Sequence, residues 1–206
     1  MPDDRQTMLL NEGRAALIRT GEAIAGLADQ LGGSFVQAVD VILGCRGHVI
    51  VSGAGTSSTI ARRLAHLLTC VGAPALYLDS GQAVHGSAAA ITAHDVLVVI
   101  SKGGQTDELN TLARLAHERG APVIAMTGSS SSPLAQLSDV VLAYTVDRSL
   151  DGGEGSIALG SSLASGAVGD ALCFAVLSVR GFNPTEFLKV HPAGAVGKQL
   201  RAEHDS

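Results

Sequence analysis

The sequence predicts an α/β protein built on a doubly wound, five-stranded parallel sheet sandwiched by helices. Three observations carry this. The run Val96-Leu97-Val98-Val99-Ile100 is uninterruptedly apolar and mostly β-branched, the pattern of a strand buried on both faces. Similar short runs recur along the chain, each separated from the next by a segment with helical spacing, and that alternation winds a parallel sheet with helices on both sides. The apolar fraction is 46%, with four Phe, two Tyr, no Trp and 25 Gly. Such a composition suits close helix-on-sheet packing and not a disordered chain.

Residues 7–31 space Leu9, Leu10, Leu17, Ile18, Ile24 and Leu27 among polar residues. This predicts an amphipathic helix, interrupted near Gly21, that packs on a partner subunit. Gly32-Gly33-Ser34 ends it, and Ser34 is the expected cap of a second helix reaching Ile42. The first strand is expected over 48–52. It runs into Gly53-Ala54-Gly55-Thr56-Ser57-Ser58 and then a helix bearing Ile60, Leu64, Leu67 and Leu68. A second strand over 75–78 leads to a loop over 79–87 that contains His85. The third strand, 96–100, breaks into Ser101-Lys102-Gly103-Gly104-Gln105-Thr106 before a helix with Leu109, Leu112, Ala113, Leu115 and Ala116 on one face. The fourth strand is expected over 122–126, followed by Thr127-Gly128 and a serine-rich turn before Pro133, and the fifth over 140–143. A polar, glycine-rich loop then spans 147–156 and a long helix of small residues 157–180. Asn183-Pro184-Thr185-Glu186 reads as the start of a short helix, ahead of a tail containing His191. With no internal repeat and no linker, 1–206 reads as a single domain: helices over 1–45, sheet core over 46–182, and a C-terminal helix and tail over 183–206.

The net charge of −5 comes with no basic cluster, so the electrostatic footprint of a nucleic-acid binder is missing. No apolar run approaches the ~20 residues of a membrane span. The polar start Met1-Pro2-Asp3-Asp4-Arg5 is not followed by the apolar core of a signal peptide. The expectation is a cytoplasmic protein with neither nucleic acid nor membrane as partner. Cys45, Cys70 and Cys173 show no paired spacing and read as buried free thiols.

The chemistry is expected in two strand-to-helix loops. Gly53-Ala54-Gly55 lacks the third glycine of a dinucleotide fingerprint, because Ser58 stands there. Each loop instead puts unpaired N–H groups and the positive end of a helix dipole beside Ser, Thr and Gly. At the carboxyl edge of a parallel sheet, where ligands of open α/β sheets bind, two such loops form a seat for a monophosphate. Contacts are expected from Gly55, Thr56 and Ser57 in the first loop, and from Ser101, Lys102, Gly103, Gly104 and Thr106 in the second. No metal-ligand spacing occurs among the histidines, and no cofactor is expected.

Several of these segments carry a family resemblance. Gly53-Ala54-Gly55-Thr56-Ser57, Gly81-Gln82-Ala83-Val84-His85-Gly86, Ser101 to Thr106, Met126-Thr127-Gly128, Gly169-Asp170-Ala171-Leu172 and the run His191-Pro192-Ala193-Gly194-Ala195-Val196-Gly197 together resemble the sugar isomerase (SIS) domain family. Within it, the resemblance is closest to the bacterial D-arabinose 5-phosphate isomerases. It implies aldose–ketose isomerisation of a sugar phosphate, D-ribulose 5-phosphate to D-arabinose 5-phosphate or a related phosphosugar, without nucleotide or redox cofactor. It also implies a homo-oligomer, dimer or tetramer, with active sites at subunit interfaces. The family generally carries lysine where Thr56 stands, glutamate where Gln105 stands and serine at Gly103. Many members continue into a pair of regulatory CBS modules, and a chain without that pair is expected here.

Such an isomerisation passes a proton across an enediol, so it needs a base, an acid and donors for the developing oxyanion. His191 and His85, in Gly-flanked loops and matching family histidines, are the candidates for proton carrier and polar partner; a loop-anchoring hydrogen bond is the plainer reading of each. Glu154 or Asp151 is the candidate second acid/base group. Gln105 exchanges no protons and is left to orient a hydroxyl. Lys102 offers the positive charge absent at position 56. Two other functions fit the same seat: a non-catalytic phosphosugar-binding regulatory module, and a phospho-amino-sugar lyase or etherase.

Overall fold

A computed structural model describes residues 2–181 together with Asn183, Thr185, Phe187, Leu188 and Gly194. Strands β1 (Val49–Gly53), β2 (Ala75–Tyr77), β3 (Val96–Ile100), β4 (Val123–Thr127) and β5 (Val140–Ala143) form one sheet in the order β2-β1-β3-β4-β5, parallel throughout. Each of the five expected strands is present, within a residue or so of its expected bounds. β1, β3 and β4 are buried along their whole length, which explains their unbroken apolar character.

The helices are α1 (Pro2–Ala25), α2 (Gly33–Leu43), α3 (Thr56–Cys70), α4 (Ser80–Val84), α5 (Asp107–Glu118), α6 (Pro133–Gln136), the single turn α7 (Gly152–Gly155) and α8 (Gly160–Arg180). From β1 the chain moves through α3 to β2 on one side, and from β3 through α5 to β4 on the other. Right-handed crossovers in opposite directions must lie on opposite faces, and they do. Ala61, Leu64, Ala65 and Leu68 of α3 join α2 and α8 over Val49, Val51, Val98 and Ile100. Leu109, Leu112, Ala113 and Ala116 of α5 pack with Leu134 over Ile50, Leu97, Val99 and Val123.

Several local expectations are corrected. α1 runs through the exposed Gly21, where nothing approaches, and breaks at Gly26 instead; an exposed mid-helix glycine costs only about 1 kcal/mol. Ser34 lies inside α2, whose cap is Gly32 with no side-chain hydrogen bond. The expected loop over 79–87 folds into α4, capped by Asp79 accepting the Gln82 N–H at 3.1 Å, and a 3-10 turn follows over Ser87–Ala90. Of the three free thiols only Cys173 is buried, and that burial pushes its pKa up to about 12. α8, contrary to the sequence reading, is long and apolar enough to cross a membrane by length and composition. Its inward residues Ala164, Val168, Leu172 and Val176 are in the core, and core packing on α3 accounts for the apolar character. Gly169 allows that approach, since a Cβ there would meet Leu64 at 3.3 Å.

At the C-terminus, Asn183 Oδ1 accepts the Thr185 N–H at 3.1 Å and its carbonyl accepts the Phe187 N–H at 3.0 Å, as a helix cap does. His191 and the rest of the expected tail lie outside the described residues.

Candidate anion seat and adjoining cavity

β1 and β3 are neighbours, and their last residues Gly53 and Ile100 are register partners. The chain leaves them in opposite directions, so the loops Ala54–Ser57 and Ser101–Thr106 stand side by side at the topological switch point.

The first loop is made of backbone in close quarters. A Cβ on Gly53 would lie 2.7 Å from the Ser57 carbonyl, and Gly55 holds φ 55° and ψ −131°, a conformation that only glycine adopts readily. Ser57 and Ser58 N–H groups turn back to Ala54 and Gly55. The N–H groups of Gly55 and Thr56 and the hydroxyls of Thr56 and Ser57 have no partner among the described residues.

The second loop is fastened to its neighbours. The Ser101 N–H donates to Met126, the Lys102 carbonyl accepts the Gly128 N–H at 2.9 Å, and the Gly104 carbonyl accepts the Leu134 N–H at 3.2 Å. The buried Ser101 hydroxyl accepts the Gly104 N–H at 3.2 Å. Gly104 sits at φ 62°, and a Cβ there would run into the Ser132 hydroxyl. With the loop so held, the N–H groups of Gly103, Gln105 and Thr106 point to no acceptor among the described residues. Thr106 precedes α5 without capping it, leaving its hydroxyl open. The exposed Asp107 and Glu108 occupy the first turn of α5.

A cavity of about 310 Å³ adjoins this loop, over the carboxyl ends of β4 and β5. Lys102, Gly103, Gly128, Ser129, Tyr144, Thr145, Val146, Ser161 and Ser165 line it. Its polar wall is wired in advance. Tyr144 donates to Ser165 Oγ at 2.8 Å, and Ser165 donates to the Ser161 carbonyl at 3.0 Å. Burial pushes the Tyr144 phenol up to about 12 against the opposing Ser165 hydrogen bond, so it is a hydrogen-bond donor at neutral pH. Thr145 exchanges hydrogen bonds with the Gln30 amide at 2.8 and 3.0 Å.

Lys102 Nζ donates to Asp151 Oδ2 at 2.5 Å and leans toward the Gly155 carbonyl at 3.4 Å. Asp151 Oδ1 accepts the Ser161 N–H at 2.9 Å. Burial works to raise the Asp151 pKa, but Lys102 and Ser161 overcome it and hold the carboxyl below its ordinary value. Beside this pair Gly153, Glu154 and Gly155 all have positive φ, and among the described residues Glu154 is the non-glycine with that backbone sign (φ 57°). Arg148 Nε ties the Glu154 carbonyl at 3.0 Å.

Of the residues expected to act, the fold gathers Gly55, Thr56, Ser57, Ser101, Lys102, Gly103, Gly104 and Thr106 at the switch point. Gln105 is exposed there with an unbonded amide. Glu154 is exposed on its left-handed turn. His85 is exposed at the end of α4, and its ring has no hydrogen bond or ion pair among the described residues. His191 falls outside the described residues. Sequence reasoning missed Tyr144, Thr145, Ser161 and Ser165. Tyr144 and Thr145 follow directly on β5, and polar residues just past a buried strand were the available signal.

Sheet order and switch-point seat together define a doubly wound α/β protein with an anion-binding edge. Residues 42–174 match the SIS domain, and the chain belongs to that family. It is 37% identical over 193 residues to arabinose 5-phosphate isomerase GutQ of Escherichia coli (strain K12), covering 93% of this chain and 60% of that protein. It is 32% identical over 205 residues to arabinose 5-phosphate isomerase KpsF of Escherichia coli, covering 97% of this chain and 64% of KpsF. The chain therefore spans under two thirds of the length of these curated relatives. Among solved structures, a sugar-phosphate complex of E. coli CFT073 c3406 superposes with a TM-score of 0.85 at 28% identity, covering 90% of this chain and 98% of that one.

Proposed function

We propose that the chain isomerises a sugar phosphate between aldose and ketose, with D-ribulose 5-phosphate and D-arabinose 5-phosphate as the pair suggested by its relatives. The observation that carries the reading is the cluster of unpartnered N–H and hydroxyl groups of Gly55, Thr56, Ser57, Gly103, Gln105 and Thr106 at adjacent strand ends. Donors without acceptors, at the starts of α3 and α5, favour a phosphate. From that seat a pentose chain reaches toward the cavity, where Lys102 and the Tyr144–Ser165 hydroxyls face its oxygens. Proton movement between C1 and C2 through an enediol then falls to Glu154 and to His85 and His191, with Gln105 orienting a hydroxyl. Copies of the chain supply one another's sites: Met8, Leu9, Leu10, Leu17 and Ile18 of α1 are all more than half exposed, an apolar stripe for a homo-oligomer contact. The reading places the enzyme in the cytoplasm.

The test is incubation of ribulose 5-phosphate with the protein in deuterated water, followed by NMR. Appearance of the aldose with deuterium at C2 is expected; absence of both turnover and exchange overturns the reading. One observation favours a second reading, a phosphosugar-binding module without chemistry: Thr56 and Gln105 bring no ionisable group to the seat. That reading predicts phosphosugar binding with no exchange.

A further inference from the structure

We infer that Asp151 is a positioning residue, which holds the Lys102 ammonium at the cavity mouth for the carbonyl and hydroxyl end of the phosphosugar. The inference rests on the phosphosugar reading above and assigns a role which that reading leaves open. Asp151 and Glu154 were equal candidates for an acid/base group, and the geometry separates them. The Asp151 side chain is 1% exposed and both its oxygens are engaged, Oδ1 by the Ser161 N–H and Oδ2 by Lys102 Nζ. It has no free lone-pair direction toward a ligand and stays ionised near neutral pH, so it serves as a counter-ion and not as a proton carrier.

Lys102 is the complementary half. Its side chain is 50% exposed and lines the cavity. Of its three ammonium protons, one goes to Asp151 and one leans to Gly155, which leaves the third without an acceptor among the described residues. An ammonium anchored on one side and open on the other is preorganised for an oxyanion developing on the open side. The anchor is itself fixed. Asp151 takes the N–H of Ser161 in the first turn of α8, where Leu159 offers no side-chain cap. Gly160 lets the two segments meet, because a Cβ there would strike Leu150. The positive charge that family members carry at position 56 is thus supplied from position 102 and aimed from position 151.

Asp151→Asn keeps an oxygen for the Ser161 N–H and removes the charge that holds Lys102. Lys102→Met removes the ammonium at a half-exposed position that tolerates the change. Both variants, the double variant and the wild type are compared in kcat and KM for ribulose 5-phosphate, in arabinose 5-phosphate affinity by calorimetry, and in Tm. If the wild type turns over, Asp151→Asn is expected to lower kcat about 100-fold, as a misplaced group does, with a smaller change in KM. The double variant is then no slower than Lys102→Met alone, since one interaction cannot be lost twice. An unchanged kcat with a lowered Tm, or losses that multiply in the double variant, overturns the inference and leaves the isomerase reading standing. If the wild type binds without turnover, the isomerase reading falls and affinity decides: equal, non-additive weakening supports the inference, and unchanged affinity overturns it. A wild type that neither binds nor turns over sinks both.

Discussion

The switch-point seat and the cavity beside it share one loop but are built on opposite plans. In the seat, main-chain N–H groups and short hydroxyls are left without partners, held open by glycines whose conformation or contacts exclude a side chain. In the cavity nearly every polar group is already engaged: Tyr144 with Ser165, Ser165 with Ser161, Thr145 with Gln30, and Lys102 with Asp151. Unsatisfied donors draw in an anion, because the anion replaces bonds otherwise made only to water. A satisfied network selects geometry, because a ligand must match groups that no longer move. Anchoring and discrimination are therefore separated in space, and substitutions in the two regions are expected to fail differently.

The largest effect is expected at the hinge between them. Gly104→Ala places a Cβ against Ser132 at φ 62°, which combines left-handed strain with overpacking for a loss of about 2–5 kcal/mol of stability. Urea melts and phosphosugar calorimetry on the same variant are expected to show stability and affinity falling together. Gly55→Ala sharpens the comparison. Nothing lies within 4 Å of its missing Cβ, so only backbone strain of about 1–3 kcal/mol acts. Affinity is expected to fall while the core, read from the cooperativity of the melt, stays intact.

A third test uses acid. The Asp151 carboxyl titrates below its ordinary 3.8 in the folded protein, so its stabilising contribution is complete above that value and lost as pH falls through the folded-state pKa. Wild type and Asp151→Asn are expected to differ most near neutrality and to converge in urea stability as pH drops below about 4. A constant gap across that range contradicts the ion pair. The smallest effect belongs to the rim of the seat. Asp107→Asn or Glu108→Gln removes a negative charge from the first turn of α5 and is expected to tighten inorganic phosphate binding by about 0.3–1 kcal/mol each, diminishing with added salt.

How much of this the sequence disclosed follows from the range of the forces involved. The buried run Val96–Ile100 and the glycine-rich loop after it were legible because burial on both faces and helix starts leave local patterns. The break of α1 was misplaced from Gly26 to Gly21, since glycine is punctuation only where packing or solvent makes it so. α4 was read as loop because a five-residue helix has too few turns for a periodicity. The Lys102–Asp151 pair joins residues 49 positions apart, and no local pattern encodes it. Asp151 was noticed only as one carboxylate in a polar loop, and its burial, which decides its role, is a property of the assembled sheet. Ser132 looked like part of a serine-rich turn, and the fold uses it to cap α6 by accepting the Ala135 N–H at 3.2 Å.

Lys102 is tied down twice on different parts of the sheet. Its carbonyl is held by Gly128 after β4 and its ammonium by Asp151 after β5. The loop's shape therefore belongs to the main chain alone, and the side chain is a replaceable fitting on a finished mount. Divergence at this position can re-aim the same scaffold toward sugars of different length or stereochemistry while the phosphate grip stays as it is.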